Sequence, residues 1–114
     1  MVRIAKNHEY IEFKIGKEIY KVLLSDISYF SSCGRKITLH GNHQEYEFYE
    51  SMKNIYDTLK DKGFVDIHKS FIVNRIYIKK AEYERVILND GKVLPISQSK
   101  RPHIRKQFKE FRLR

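Results

Sequence analysis

Along the first half of the chain apolar and polar residues alternate with a period of two. Ile11, Phe13 and Ile15 alternate with Glu12 and Lys14, the pattern of a strand buried on one face. Gly16-Lys17 supplies a tight turn into a return strand carrying Tyr20, Val22 and Leu24. A third run, Ile27 to Ser31, leads into the polar loop Ser32-Cys33-Gly34-Arg35-Lys36, and Ile37 and Leu39 then match Tyr46 and Phe48 across Gly41-Asn42. The period changes at Ser51. Met52, Ile55, Tyr56 and Leu59 recur at helical spacing, Ser51 is a ready N-cap, and Gly63 suits a left-handed close.

Beyond the helix, the run from Phe64 to Arg75 is strand-like and apolar except where His68, Lys69 and Ser70 interrupt it. Polar side chains cost burial in such a run, so either they leave the core at a bend or they contact a ligand. Strands are expected again at Phe71 to Val73 and Ile76 to Ile78. A hairpin of Val86 to Leu88 with Val93 to Ile96 follows, joined by Asn89-Asp90-Gly91 read as a two-residue turn. Ser97 to Arg114 reads as a terminal helix or tail, with Ser97 or Ser99 as cap and Ile104, Phe108 and Phe111 as its apolar positions. The pattern predicts a mainly β fold of small antiparallel sheets, with one short amphipathic helix in the middle and a short C-terminal helix, forming a single domain over residues 1–114.

Charge changes this picture more than composition does. The 114 residues carry 23 Lys and Arg against 14 Asp and Glu, a net charge of +9, which favours an anionic partner and nucleic acid first among them. Lys100, Arg101, Arg105, Lys106, Lys109, Arg112 and Arg114 face only Glu110 in the C-terminal segment, which ends in a basic tail from about residue 105. Eight Tyr and seven Phe within 41% hydrophobic residues exclude disorder. The lone Cys33 cannot form an internal disulfide and reads as a spectator thiol in a reducing compartment. No apolar run has the length of a membrane span or signal peptide, so the expectation is a cytoplasmic, soluble protein with no membrane partner.

The sequence carries no catalytic signature. There is no phosphate-binding glycine loop, nucleophile motif or pair of carboxylates in an apolar setting, and the expectation is that the chain is not an enzyme and takes no cofactor. His8, His40, His43 and His103 read as surface residues without a set of metal ligands. On residue types alone Arg35-Lys36 reads as a solvated turn and the basic C-terminal helix as a solvated face, while for His68-Lys69-Ser70 a sheet-edge bulge stands level with a ligand contact. Two other binding readings stay open: single-stranded RNA held by stacking on Tyr and Phe, and an acidic protein or anionic membrane held by the C-terminal cations.

The order of Ile27-Ser28-Tyr29-Phe30, the Gly34-Arg35 loop, the Ser51-Met52 helix, Phe64 with Ile67-His68-Lys69-Ser70-Phe71-Ile72-Val73-Asn74, and Leu94-Pro95-Ile96-Ser97 resembles the LytTR-type DNA-binding domain of bacterial response regulators. The resemblance spans about Ile4 to Lys106. It implies a β scaffold that reads double-stranded DNA through loops in successive major grooves, on repeated half-sites, with a second copy aligned on the DNA. Carried over by position, it implies base contacts from Arg35, His68, Lys69, Gln98 and Ser99, and phosphate contacts from Lys36, Ser70, Arg75, Lys100 and Arg101. Gly34 would shape the first loop, and Asn74 would bond to its own loop's backbone and so present Lys69. Asp66, Lys36 and Gln98 depart from the family's usual residues, so the sequence preference is the chain's own. The 114 residues hold no receiver domain of the kind that precedes such effectors. The expectation is therefore an effector excised from a longer regulator, with a stand-alone regulator as the alternative.

Overall fold

The computed structural model describes residues 2–5 and 7–112, the side chains of residues 110–112 excepted. The N-terminal part forms β1 (Val2–Ile4), β2 (Tyr10–Ile15) and β3 (Glu18–Leu23), an antiparallel sheet in that order. A 3-10 turn at Leu24–Asp26 precedes β4 (Ile27–Cys33), β5 (Lys36–Gly41) and β6 (Glu45–Tyr49). Helix α1 (Met52–Leu59) leads to β7 (Phe64–His68) and β8 (Phe71–Asn74), and these five strands form one sheet in the order β6-β5-β4-β8-β7. A second 3-10 turn, Arg75–Tyr77, leads to a third sheet of β9 (Ile78–Ala81), β10 (Arg85–Leu88) and β11 (Val93–Pro95), in which β10 is central. A third 3-10 turn, Gln98–Lys100, opens α2 (Arg101–Arg112).

The five-stranded sheet separates two cores. Phe30, Ile37, Leu39, Phe48, Phe64 and Ile72 belong to one, which is closed by Ile11 and Phe13 of β2 and by Ile55 and Leu59 of α1. Tyr29, Val65, Ile67 and Val73 belong to the other, closed by Val86, Leu88, Leu94, Ile96 and Ile104. Because side chains alternate across a strand, β4 and β8 feed both cores, and a one-residue slip would exchange every buried residue with its neighbour. With each full burial of an Ile, Leu or Phe worth about 1.5–3 kcal/mol, the register is strongly specified. It pairs Phe30 with Ile72 and Ser31 with Phe71.

Several expectations hold in detail. Gly16 adopts φ +61 in a two-residue turn between Ile15 and Glu18, and Ile37 and Leu39 pair with Phe48 and Tyr46. The Ser51 hydroxyl caps α1 by accepting the Asn54 N–H at 3.1 Å. Gly63 has φ +85, although the helix itself ends at Leu59.

The strand-like run from Phe64 turns at Lys69-Ser70, the bend that was one of its two readings, and resumes as the strand expected at Phe71. Other expectations are corrected. The loop at 32–36 shrinks to Gly34-Arg35, since Cys33 and Lys36 are already paired. Ile76 is exposed in a 3-10 turn, and the strand begins only at Ile78. Asn89-Asp90-Gly91 forms a three-residue connection in which only Gly91 has positive φ, +90, as in a type I turn closed by a glycine bulge. Ser97 makes no side-chain cap, and its hydroxyl is buried without a hydrogen-bond partner among the described residues. Strand β1 was not anticipated, although Val2 and Ile4 flank Arg3 in the same alternation. The side chains of Phe111 and Arg112, and all of Arg114, lie outside the described residues.

Candidate nucleic-acid interface

Three polar segments far apart in sequence meet at one end of the five-stranded sheet. Between β4 and β5, Gly34 with φ +63 and Arg35 form the two-residue turn. A glycine in the first central position is what a type II′ hairpin turn requires, and it leaves Arg35 exposed at the tip. The Arg35 carbonyl accepts the Glu50 N–H at 3.0 Å, which ties the turn to the end of β6. Between β7 and β8, His68 pairs with Phe71 around the turn Lys69-Ser70, and the register slips between Asp66 and His68. The Ser70 N–H donates to Nδ1 of His68 at 3.0 Å. His68 thus shapes the turn it belongs to and has only Nε2 left for a ligand.

The hairpins are locked together. Strands β4 and β8 are neighbours, and the Ser32 N–H donates to the Ser70 carbonyl at 3.1 Å. The third segment joins from the side, where the Ser97 N–H donates to the Ile67 carbonyl at 2.9 Å beside the outer strand β7. Gln98 and Ser99 follow, both exposed. With strands about 4.8 Å apart, the two hairpin turns are centred roughly 10 Å from each other, and the row from Arg35 to Ser97 spans about 17 Å at the backbone.

The cations around this row are differently engaged. Lys36 is the first residue of β5, with Nζ 3.4 Å from Glu47 Oε1 in an exposed pair. Lys69 is exposed at its tip. Lys100 Nζ lies 2.7 Å from Asp66 Oδ2, both side chains about one-third exposed at 33% and 30%. Arg101 is half-buried, donates from Nε to the Ile96 carbonyl at 3.1 Å, and lies 6.0 Å from the Tyr83 ring centroid. Arg75 stands apart. It follows the opposite end of β8, five residues from Ser70 and so about 16 Å away along the strand. Its backbone N–H donates to the Gly63 carbonyl.

Asn74 also serves a different loop from the one expected. Its Nδ2 donates to the carbonyls of Leu24 at 3.1 Å and Ile27 at 2.9 Å, and its Oδ1 accepts the Ile76 N–H at 3.3 Å. It therefore clamps the entry of β4 and the exit of β8, at the far end from Lys69. Two further residues were missed. Tyr49, 73% exposed, faces Lys36 across the outer strand β6, a position the alternation of Glu45, Glu47 and Tyr49 could have revealed. Asp66 was noted only as unusual, not as the partner of Lys100.

On the same sheet His40 stacks on Tyr29 at 4.0 Å, with Nε2 2.8 Å from Ser31 Oγ and Nδ1 2.8 Å from Glu45 Oε2. Burial pushes its pKa down, against the opposing pull of Glu45. The aromatics Phe13, Phe30, Phe48 and Phe64 are committed to the cores, whereas Tyr49 and Tyr83 are exposed. Among the described residues, no group of three or more His, Cys, Asp and Glu is placed to hold a metal ion. No helix there is long and apolar enough to cross a membrane.

The chain matches the family model of the LytTr DNA-binding domain over residues 17–109. Its fold superposes with a TM-score of 0.73, at 22% identity, on the LytTr DNA-binding domain of a Bacillus cereus protein described as a methyl-accepting/DNA response regulator, covering 86% of this chain and 94% of that one. Among curated relatives, the sensory transduction protein LytT of Bacillus subtilis (strain 168) is 25% identical over 101 residues, 84% of this chain and 42% of that protein. The transcriptional regulatory protein NatR of the same organism is 32% identical over 69 residues, 60% of this chain and 30% of that protein. The chain thus spans less than half the length of these relatives. With 93 of its residues inside the family match, and with the mainly β fold and the three-turn edge described above, the chain belongs to the LytTr family of DNA-binding domains.

Proposed function

We propose that residues 1–114 act as one domain, the effector of a bacterial transcription regulator that binds double-stranded DNA with sequence preference. Arg35 and Gln98 read base edges toward the two ends of the row, with Lys69, His68 and Ser99 reading between and beside them. Arg35 is suited to guanine, because a guanidinium donates two hydrogen bonds to O6 and N7, and Gln98 to adenine N6 and N7. Lys36, Ser70, Lys100 and Arg101 hold phosphates, and Gly34 gives the first turn its shape. Arg75 is left out of this set because of its place at the far end of β8. Two copies occupy repeated half-sites about one helical turn apart, and an N-terminal receiver domain in the full-length protein governs access.

The observation that carries this reading is the convergence of the Arg35, Lys69 and Gln98 segments on one sheet end. A backbone row of about 17 Å exceeds the roughly 12 Å width of a major groove. The outer turns therefore address separate stretches of the duplex, with the middle turn between them. Selection from random duplex by the purified domain tests it. A short motif repeated at about one-turn spacing should emerge. On that motif Arg35→Ala should cost about 1–3 kcal/mol, while its affinity for scrambled duplex changes little. Equal losses on both duplexes would remove Arg35 as a reader, and no enriched motif would refute sequence-specific binding.

A further inference from the structure

We propose that the groove between β9 and α2 is a docking site for a short acidic segment of a protein partner, one in which carboxylates alternate with bulky apolar side chains. The groove encloses about 880 Å3, within the roughly 300–1,000 Å3 of sites that take a ligand. Its floor is apolar, formed by Ile78, Ala81, Ile104 and Phe108. Its rim is basic, with Lys79, Lys80, Arg101, Arg105 and Lys109 along the sides and Arg75 at one end, and Glu82 is the one carboxylate among the lining residues. An apolar trough edged by cations is complementary to an amphipathic anion, since the floor takes side chains that the rim's counter-charges accompany.

Two details favour an extended peptide. Strand β9 is the outer strand of its sheet and, among the described residues, is paired only with β10, so its other edge is open to an added strand. Lysines on such an edge discourage pairing with another copy of the same edge while attracting an acidic one. Of the existing ion pairs there, Lys80 to Glu82 at 3.2 Å and Arg101 to Glu84 at 3.9 Å each keep one member largely exposed and are worth about 0–1 kcal/mol, so a competing carboxylate recruits Lys80 and Arg101 at little cost while Glu82 keeps Arg85 at 2.6 Å. Tyr83, 51% exposed, holds the guanidinium groups of Arg101 and Arg105 at 6.0 and 5.8 Å from its ring, which keeps two rim cations in position.

Duplex DNA fits this groove less well. A phosphodiester backbone has nothing to place on the apolar floor, and the Arg75 end lies about 16 Å from the Lys69-Ser70 turn along β8. The proposal rests on Lys79, Lys80 and Arg105 of the rim rather than on Arg101, which the DNA reading also uses.

The test uses the whole domain and a display library of random peptides about a dozen residues long, selected with random-sequence duplex present in excess. The winning peptide is then synthesised with a fluorescent label and titrated. Winners should alternate Asp or Glu with Leu, Ile, Phe or Trp. Their affinity should fall at least tenfold in Lys79→Glu/Arg105→Glu and in Ala81→Trp, which fills the floor without changing charge. Ala81→Trp should melt as a folded domain and bind duplex within twofold of wild type. Failure to enrich any peptide, winners without acidic residues, or unchanged binding by Ala81→Trp would overturn the proposal. Displacement of the peptide by duplex in proportion to occupancy, persisting in Arg101→Ala, would assign Lys79, Lys80 and Arg105 to phosphates instead, and would also overturn it.

Discussion

Replacing Asn74 separates the role the structure gives it from the role the sequence suggested. Its side chain is 4% exposed and joins three backbone groups: the Leu24 and Ile27 carbonyls and the Ile76 N–H. In Asn74→Ala the Leu24 carbonyl keeps its bond from the Ile27 N–H, but the Ile27 carbonyl loses its 2.9 Å donor and the Ile76 N–H its 3.3 Å acceptor. A buried polar group stripped of its partner costs about 1–3 kcal/mol; counting the shorter bond fully and the longer one weakly gives a loss of about 2–4 kcal/mol. At roughly 4 °C per kcal/mol, the melting temperature should drop by about 8–16 °C. Asn74→Asp should fall further, because it keeps the shape but aims a carboxylate oxygen at two carbonyl oxygens. Urea unfolding followed by circular dichroism measures both. Duplex titration at a temperature where every variant is folded should give affinities within twofold of wild type, since the clamp is at the opposite end of β8 from Lys69. A loss under about 0.5 kcal/mol would refute the clamp. A folded variant of normal stability but weakened DNA binding would restore Asn74 to the Lys69 turn.

Two further outcomes follow from charges near the site. Asp66→Asn releases Lys100 and removes a negative charge beside the row, so DNA binding should tighten by about two- to fivefold at low salt while stability changes by less than about 1 kcal/mol; Lys100→Ala should weaken all duplexes alike and lower the salt slope by about one. Unchanged affinity in Asp66→Asn would mean that Lys100 does not reach the backbone. His40 is held neutral chiefly by burial, so on acidification the unfolded chain takes up that proton first, near the ordinary value of about 6.5. Its contribution is present above that pH and is lost as pH falls toward the lower folded value. Denaturant midpoints measured from about pH 8 to pH 5 should decline in wild type and decline less in His40→Gln; parallel curves would refute the assignment.

What could be read from the sequence follows from which forces act locally. Alternation exposed the β2–β3 and β5–β6 pairs because each of those strands buries one face, so the period of two survives in the residue order. Strands β4 and β8 are harder, because they bury residues on both faces: Tyr29, Phe30, Ile72 and Val73 are all buried and show no period. The exposed Ile76 looked like core because its apolar side chain gives no sign that Asn74 accepts its N–H and bends the chain into a 3-10 turn. At Asn89-Asp90-Gly91 the turn residues were recognised but not the register, which depends on how Val93 meets Ile87.

The edge proposed to bind DNA was legible for a different reason. Arg35, Lys69 and Gln98 each sit next to a residue or bond that fixes chain direction: Gly34 with positive φ, the Ser70-to-His68 hydrogen bond, and the Ser97-to-Ile67 backbone bond. Only the first of these is visible in residue types alone. Their convergence comes from the pairing of β4 with β8, which sets Ser31 against Phe71 and so brings two separate hairpin ends level. The same register that buries Phe30 against Ile72 therefore sets the spacing of the groups proposed to face DNA. A change that loosens the first core at either residue should alter recognition even though neither side chain touches the duplex. Arg75 illustrates the converse. Its place in the motif implied a DNA contact, and the register that brings Lys69 to the edge carries Arg75 to the opposite end of β8, where it lines the groove between β9 and α2.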